Sequence, residues 1–327
     1  MKQMERFRTA GCSGEQSAAE PMPSGSAGRS ILTMSIGLAV MLVWPGCRVG
    51  FDALTDGGAG FDAGPFGAPS PIAEISAPSI DDDDPSLTGD LLELYFNSDR
   101  AGGVGDVDIW RSTRASSSDP WRTPAVVGEL STEYQDSTPE VAADGLTIWF
   151  ASNRPGGKGK YDIWFASRPN RSDPWSVPVA IPELNTPDNE GSPAVADSKR
   201  ILVFYSDRSG GAGGRDLYIS SRASENDPWN EPSPLAAINS PEHDSNPYLA
   251  SGASLLFFDS GRPGGQGARD LYVASRPTIS DSFDSPTPLA ELNSESDEVD
   301  AWISADLRYL VFASDRSGRF QLYETRR

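Results

Sequence analysis

The stretch QDSTPEVAADGLTIWFASNRPGGKGKYDIWFASRPNRSDPWSVPVAIPELNTPD, residues 135–188, decides the fold, because the chain repeats it every 54 residues without slippage. Arg100, Arg154, Arg208, Arg262 and Arg316 mark one point in five copies, and Asp108, Asp162, Asp216 and Asp270 mark a second. Trp121, Trp175, Trp229 and Phe283 mark a third. A fixed period in this range signals stacked or radial units, each burying its apolar face on its neighbours. The copies fill residues 81–327 without a break, so the repeats form one domain.

Each copy predicts four short strands: one around PEVAA (139–143), then LTIWFAS (146–152), YDIWFASR (161–168) and VPVAI (177–181). The second and third are rich in aromatic and branched residues, as buried strands are. Asp144-Gly145 and the glycine-rich RPGGKGKYD supply the turns between them. Proline recurs in the fourth strand, where it is tolerated only at an edge. The fourth strand is therefore the outer rim, and the first lines a central axis. Four-stranded antiparallel blades in this order predict an all-β fold, a β-propeller.

Both ends of the repeat array are partial. Phe66 and PSPIAEIS (69–76) match Phe283 and PTPLAELN (286–293), so the array begins with the end of a copy. The fifth copy stops at Arg327, before any aromatic–proline segment. Head and tail are complementary. The expectation is five blades over 66–327, in preference to six, the last completed by the N-terminal strand.

Upstream, residues 31–44 (ILTMSIGLAVMLVW) are an uncharged apolar run after Arg29. Fourteen residues are short of the roughly 20 that span a bilayer, and they fit the core of a secretory signal. Residues 1–47 are expected to be that signal, with a lipoprotein-like ending at Gly46-Cys47 and Cys47 as the lipidated residue. Trp44 and Pro45 depart from the usual small or aliphatic residues before such a cysteine. Residues 48–65 read as a flexible tether. Cys12 and Cys47 are the only cysteines, so no disulfide framework holds the fold.

The formal charge is −20, with four basic and three acidic groups in residues 1–47, which leaves about −21 for the rest. That argues against a nucleic-acid backbone as partner. It suits solubility outside the cytoplasm.

The pattern DSTPEVAADGLTIWFASNRPGGKGKYDIW resembles the WD40-like PD40 repeat of the TolB-type β-propellers, in five copies. The resemblance implies an exported, periplasmic or outer-membrane protein, here lipid-anchored and monomeric. It would bind another envelope protein or a cell-wall component, without catalysis or cofactor. The family's namesake has six blades and a separate N-terminal domain, and neither is seen in this sequence.

Three sets of residues are candidates for chemistry. Asp82, Asp136, Glu190, Asp244 and Glu298 precede the first strand of successive copies, on the side of the Ser-x-Arg turns. They could ring one mouth of the channel and bind a cation or a basic segment. Alternatively each pairs with a repeat arginine (Arg100, Arg154, Arg208, Arg262, Arg316) and fixes blade spacing; occurrence in every blade favours this. The turns GGVGDVD, GGKGKYD, GGAGGRD and GGQGARD resemble a calcium-binding nonapeptide, but a spacing of 54 prevents adjacent turns from sharing an ion, and no metal site is expected there. The repeat tryptophans could stack sugars, although fixed positions suit packing between blades. Arg114, Arg168, Arg222, Arg276 and Arg327 follow the third strand and are expected to clasp local loops.

No residue is assigned to catalysis. His243 is the only histidine, which excludes His-rich zinc sites and disfavours a Ser-His-Asp triad. The alternative function is a five-bladed glycoside hydrolase using channel carboxylates. Such an enzyme needs acids particular to one blade, and the near-identity of the copies counts against it.

Overall fold

A computed structural model describes residues 64–327, and twenty short strands run through them. The predicted signal, Cys47 and nearly all of the tether lie outside the described residues. β1 (Ser70–Pro71) comes first and belongs to the last blade. Blade 1 is β2 (Asp82–Leu87), β3 (Glu93–Ser98), β4 (Asp108–Thr113) and β5 (Ala125–Val126). Blade 2 is β6 (Asp136–Val141), β7 (Thr147–Ser152), β8 (Asp162–Ser167) and β9 (Val179–Ala180). Blade 3 is β10 (Glu190–Val195), β11 (Ile201–Ser206), β12 (Asp216–Ser221) and β13 (Ser233–Pro234). Blade 4 is β14 (Asp244–Ala250), β15 (Leu255–Ser260), β16 (Asp270–Ser275) and β17 (Thr287–Pro288). Blade 5 is β18 (Glu298–Ile303), β19 (Tyr309–Ser314), β20 (Gln321–Arg326) and, on its outer edge, β1. The first strands touch one another in sequence, and β18 touches β2. The chain is a closed five-bladed β-propeller.

Closure has the predicted form. β1 runs antiparallel to β20, with Ser70 opposite Glu324. Gly67 N–H donates to the Arg326 carbonyl at 2.9 Å and Ile72 N–H to the Leu322 carbonyl at 2.8 Å. Arg327 lies 4.2 Å over the Phe66 ring. That contact repeats across the chain termini the Arg168–Trp175 and Arg276–Phe283 stacks, each at 4.3 Å, of intact blades.

Five apolar clusters hold the ring, one at each interface between blades. Trp121 packs with Trp302 and Tyr309 of blade 5, and Trp175 with Tyr95 of blade 1. Trp121, Trp175 and Trp229 are buried beneath arginines, so they serve packing.

The first strand differs from expectation. It begins at the acid, three residues before the proline, and the pairing with the second strand shifts at a bulge between Ser137 and Glu140. The same irregularity occurs in all five blades. Its left-handed residue is Asp84, Thr138, Ser192, Asn246 or Asp300, with φ between 47° and 58°. Proline follows in four blades. It is tolerated because this strand is an edge too, the one facing the axis.

Candidate functional site

The five predicted acids are completely buried, and each meets the arginine of its own blade. Arg100 reaches Asp82 at 2.5 Å, Arg208 reaches Glu190 at 3.1 Å, Arg262 reaches Asp244 at 2.6 Å and Arg316 reaches Glu298 at 2.8 Å; Arg154 pairs likewise with Asp136. Each arginine also donates to a carbonyl in the connector from the preceding blade: Ile75, Leu130, Leu184, Ile238 or Leu292. The acid grips the same connector. Thr132 N–H and hydroxyl both donate to Asp136, and Thr186 does the same to Glu190. These residues stitch blade to blade and do not present free charge at the mouth.

Blade 1 is the exception. Pro78 stands where the other copies have Thr132, Thr186, Ser240 and Ser294. Proline has neither the N–H nor the hydroxyl, and Asp82 Oδ2 is left buried without a hydrogen-bond partner. Burial raises the Asp82 carboxyl above its ordinary range, although Ser98 and Arg100 oppose the rise.

The second arginine row clasps turns. Arg114, Arg168, Arg222, Arg276 and Arg327 donate to the carbonyls of Leu91, Gly145, Lys199, Ala253 and Leu307. Asp119, Asp227 and Asp281 close their own loops through Ser116, Ser224 and Thr278 instead of pairing with those arginines. In the glycine-rich turns Gly156 adopts φ 107°, and Asp162 accepts N–H bonds from Lys158 and Gly159. The repeat aspartate thus holds the turn. His243 is exposed and accepts the Arg215 N–H at Nδ1, 3.0 Å away.

The acids that face the axis are others. Asp84, Thr138, Glu140, Ser192, Asn246, Tyr248 and Asp300 line a cavity of about 30 Å³, with the inner-strand prolines between them. A second cavity, about 40 Å³, continues beyond Glu140 and Tyr248 toward the opposite mouth. One carboxylate oxygen each from Asp83, Asp84 and Asp300 lies within 4.8 Å of the others. Asp259, wholly buried, accepts the Ser245 hydroxyl at 2.8 Å, and its field acts on both Asp84 and Asp300. Burial, then the charge of Asp300, raises the carboxyls of Asp83 and Asp84 well above the ordinary range. Burial and then Asp259 lift Asp300 to about 7. Glu140, bonded to the Ser86 hydroxyl at 3.0 Å, is pushed up to about 8 by burial.

These groups break the repeat. The positions equivalent to Asp259 hold Asn97, Ala151, Tyr205 and Ala313; those equivalent to Glu140 hold Ser86, Ala194, Tyr248 and Trp302. The copies are alike in the clasps and the core but diverge at the axis, so the expectation that no acid is particular to one blade does not hold. The signal available in the sequence was the run Asp81-Asp82-Asp83-Asp84 and its alignment with Asp297-Glu298-Val299-Asp300.

Larger recesses lie on the outer flank. One of about 390 Å³ runs between β5 of blade 1 and the Arg168–Trp175 loop of blade 2. Another, about 510 Å³, runs between β9 of blade 2 and the Arg222–Trp229 loop of blade 3. Val177, just before β9, and Val179 in β9 stand exposed, at 85% and 57%.

A thermostable family-43 glycoside hydrolase is similar in structure, with a TM-score of 0.54 at 10% identity over 76% of this chain and 88% of that one. The endo-arabinase of Bacteroides thetaiotaomicron gives 0.52 at 14% identity, over 77% and 96%. The likeness is one of fold. A TolB protein of Agrobacterium tumefaciens is also similar, with a TM-score of 0.47 at 15% identity over 72% and 71%. No family model and no curated protein matches the chain.

Proposed function

We propose that the chain is a non-catalytic binding module of a bacterial envelope, exported and held by a lipid on Cys47. It takes an extended segment of a partner protein on the flank of blades 1–3. The observation that carries this reading is where the space lies. The axial cavities, about 30 and 40 Å³, hold a few waters. The flank recesses fall in or near the range of roughly 300–1,000 Å³ that ligand sites occupy. Their edges also differ from the others. β13, β17 and β1 each contain a proline, whereas β5 and β9 are Ala125–Val126 and Val179–Ala180. An outer strand without proline keeps its N–H groups available, and an extended peptide can add to such an edge. Capture from solubilised envelope by the full-length protein tests the reading. Val179→Asp should lose the captured partner and Thr287→Asp should keep it; equal capture by both would contradict the flank.

A glycoside hydrolase is the second reading, favoured by acids that occur in single blades on the axis. Glu140, still protonated near neutrality, has the ionisation a general acid requires. Against it, a cavity of about 30 Å³ cannot admit a sugar ring. The expected result is no hydrolysis of aryl glycosides, arabinosides included. Turnover that disappears in Glu140→Gln would replace the binding module with an enzyme.

A further inference from the structure

We propose that Asp83, Asp84 and Asp300 hold a calcium ion on the axis, at the seam between the first and fifth blades. Asp83 and Asp84 belong to β2, and Asp300 to the neighbouring β18. The ion therefore bridges the two blades that chain closure must bring together. The outer side of that closure is the β1–β20 pairing; the ion secures the inner side.

Two independent observations support the site. The first is the convergence of three carboxylates with one oxygen each inside 4.8 Å. Opposed ligands of calcium lie about 4.6–5.2 Å apart, twice its 2.3–2.6 Å bond length. The second is unmet demand among them. Asp300 Oδ1 is buried and has no hydrogen-bond partner. Buried polar atoms are almost always paired, so an orphaned carboxylate oxygen beside two other carboxylates points to a missing cation. Among the described residues no lysine or arginine forms an ion pair with the trio; the charge of Arg269 acts on Asp259 and Asp300, but its ion pair is with Asp297, at 2.9 Å. Of the other groups, the Asn97 amide donates to Asp83, and the Asp84 N–H donates to Asp300 Oδ2 at 3.3 Å. Oxygen ligands alone, without histidine or cysteine, select a hard ion such as calcium over zinc or copper. Asp83 and Asp84 are only half-buried and Asp84 lines the axial cavity, so the ion has a way in.

Calorimetric titration of the full-length protein, stripped with EGTA, tests the site. Calcium should bind with a stoichiometry of one and raise the melting temperature, and magnesium should bind at least tenfold more weakly. Asp84→Asn and Asp300→Asn should each weaken calcium binding at least tenfold; Asp227→Asn, in a surface loop, should not. In EGTA the order of stability should invert. Asp300→Asn should melt above the parent, because the substitution removes repulsion that no ion then relieves. If a variant fails to fold, the parent titration still decides. Absence of saturable binding up to millimolar calcium would overturn the proposal. So would unchanged affinity in both axial variants, or magnesium binding as tightly as calcium.

Discussion

Asp136 and Arg154 form a buried pair that also holds the connector from the blade before. Truncating one partner strands the other, at a cost of about 3–5 kcal/mol for buried pairs. Arg154→Ala should therefore unfold at clearly lower temperature, with a change far larger than the 0–1 kcal/mol of an exposed pair. Blade 1 offers the reverse experiment. Pro78→Thr would give Asp82 the N–H and hydroxyl that Thr132 gives Asp136, and hydrogen bonds to charged groups contribute about 1.5–3 kcal/mol each. Removing a proline offsets about 0.4–1 kcal/mol of that. A net gain of about 1 kcal/mol or more should raise the melting temperature by roughly 2–4 °C. Glu140 gives a pH dependence. Its folded carboxyl titrates near 8 against an ordinary 4.5, so between those values the unfolded chain releases a proton that the folded one keeps. Stability falls as pH rises through this window and is unaffected below it. Glu140→Gln should match the parent near pH 4 and exceed it increasingly toward pH 8; parallel melting curves at all pH values would refute the buried acid.

At the scale of elements, the aromatic strands β3, β7, β11, β15 and β19 were legible because burial on both faces writes continuous apolar runs such as TIWFAS and ILVFYS. The rim strand was legible through proline, which lies within it in blades 3, 4 and 5 and just before it in blades 1 and 2. The inner strand was only half so. Pro139 suggested a beginning, but it sits after a bulge in the strand's middle, and the bulge residue is Thr138 with φ 52°. A left-handed turn is usually signalled by glycine. Here Asp, Thr, Ser or Asn takes the position, held by neighbours: the Thr138 N–H donates to Asn97 of blade 1, and the Ser192 N–H to Thr138 of blade 2. Nothing local announces it. Closure was readable from the match of 66–76 to 283–293, and it carries a direct prediction. Deleting residues 66–76 removes Phe66, Ile72 and Ile75 from two interface clusters and leaves β20 an exposed edge. The product should melt well below the parent and associate through that edge. A deletion of 48–62 should do neither.

For the whole molecule, the repeat separates architecture from function. What recurs in every blade, the acid–arginine stitch and the stacked arginine on its aromatic, holds the ring together. These columns stand out in the sequence, and they include the acids Asp82, Asp136, Glu190, Asp244 and Glu298. The residues that differ, Asp83, Asp84, Glu140, Asp259 and Asp300, are visible as a group only once the ring brings blades 1, 2, 4 and 5 to one axis. The flank recesses were not legible for a similar reason, since each is shared between an outer strand and the next blade's loop. This flank, and not the axis, is proposed to meet the partner. Photo-crosslinking in living cells tests it most directly, with the reactive side chain placed at Val179, at Thr287 or at Lys199 in turn. A discrete crosslinked protein is expected from Val179 and from Lys199, which line the same recess, and none from Thr287. Crosslinks from Thr287 equal to those from Val179, or none from any flank position, would contradict it.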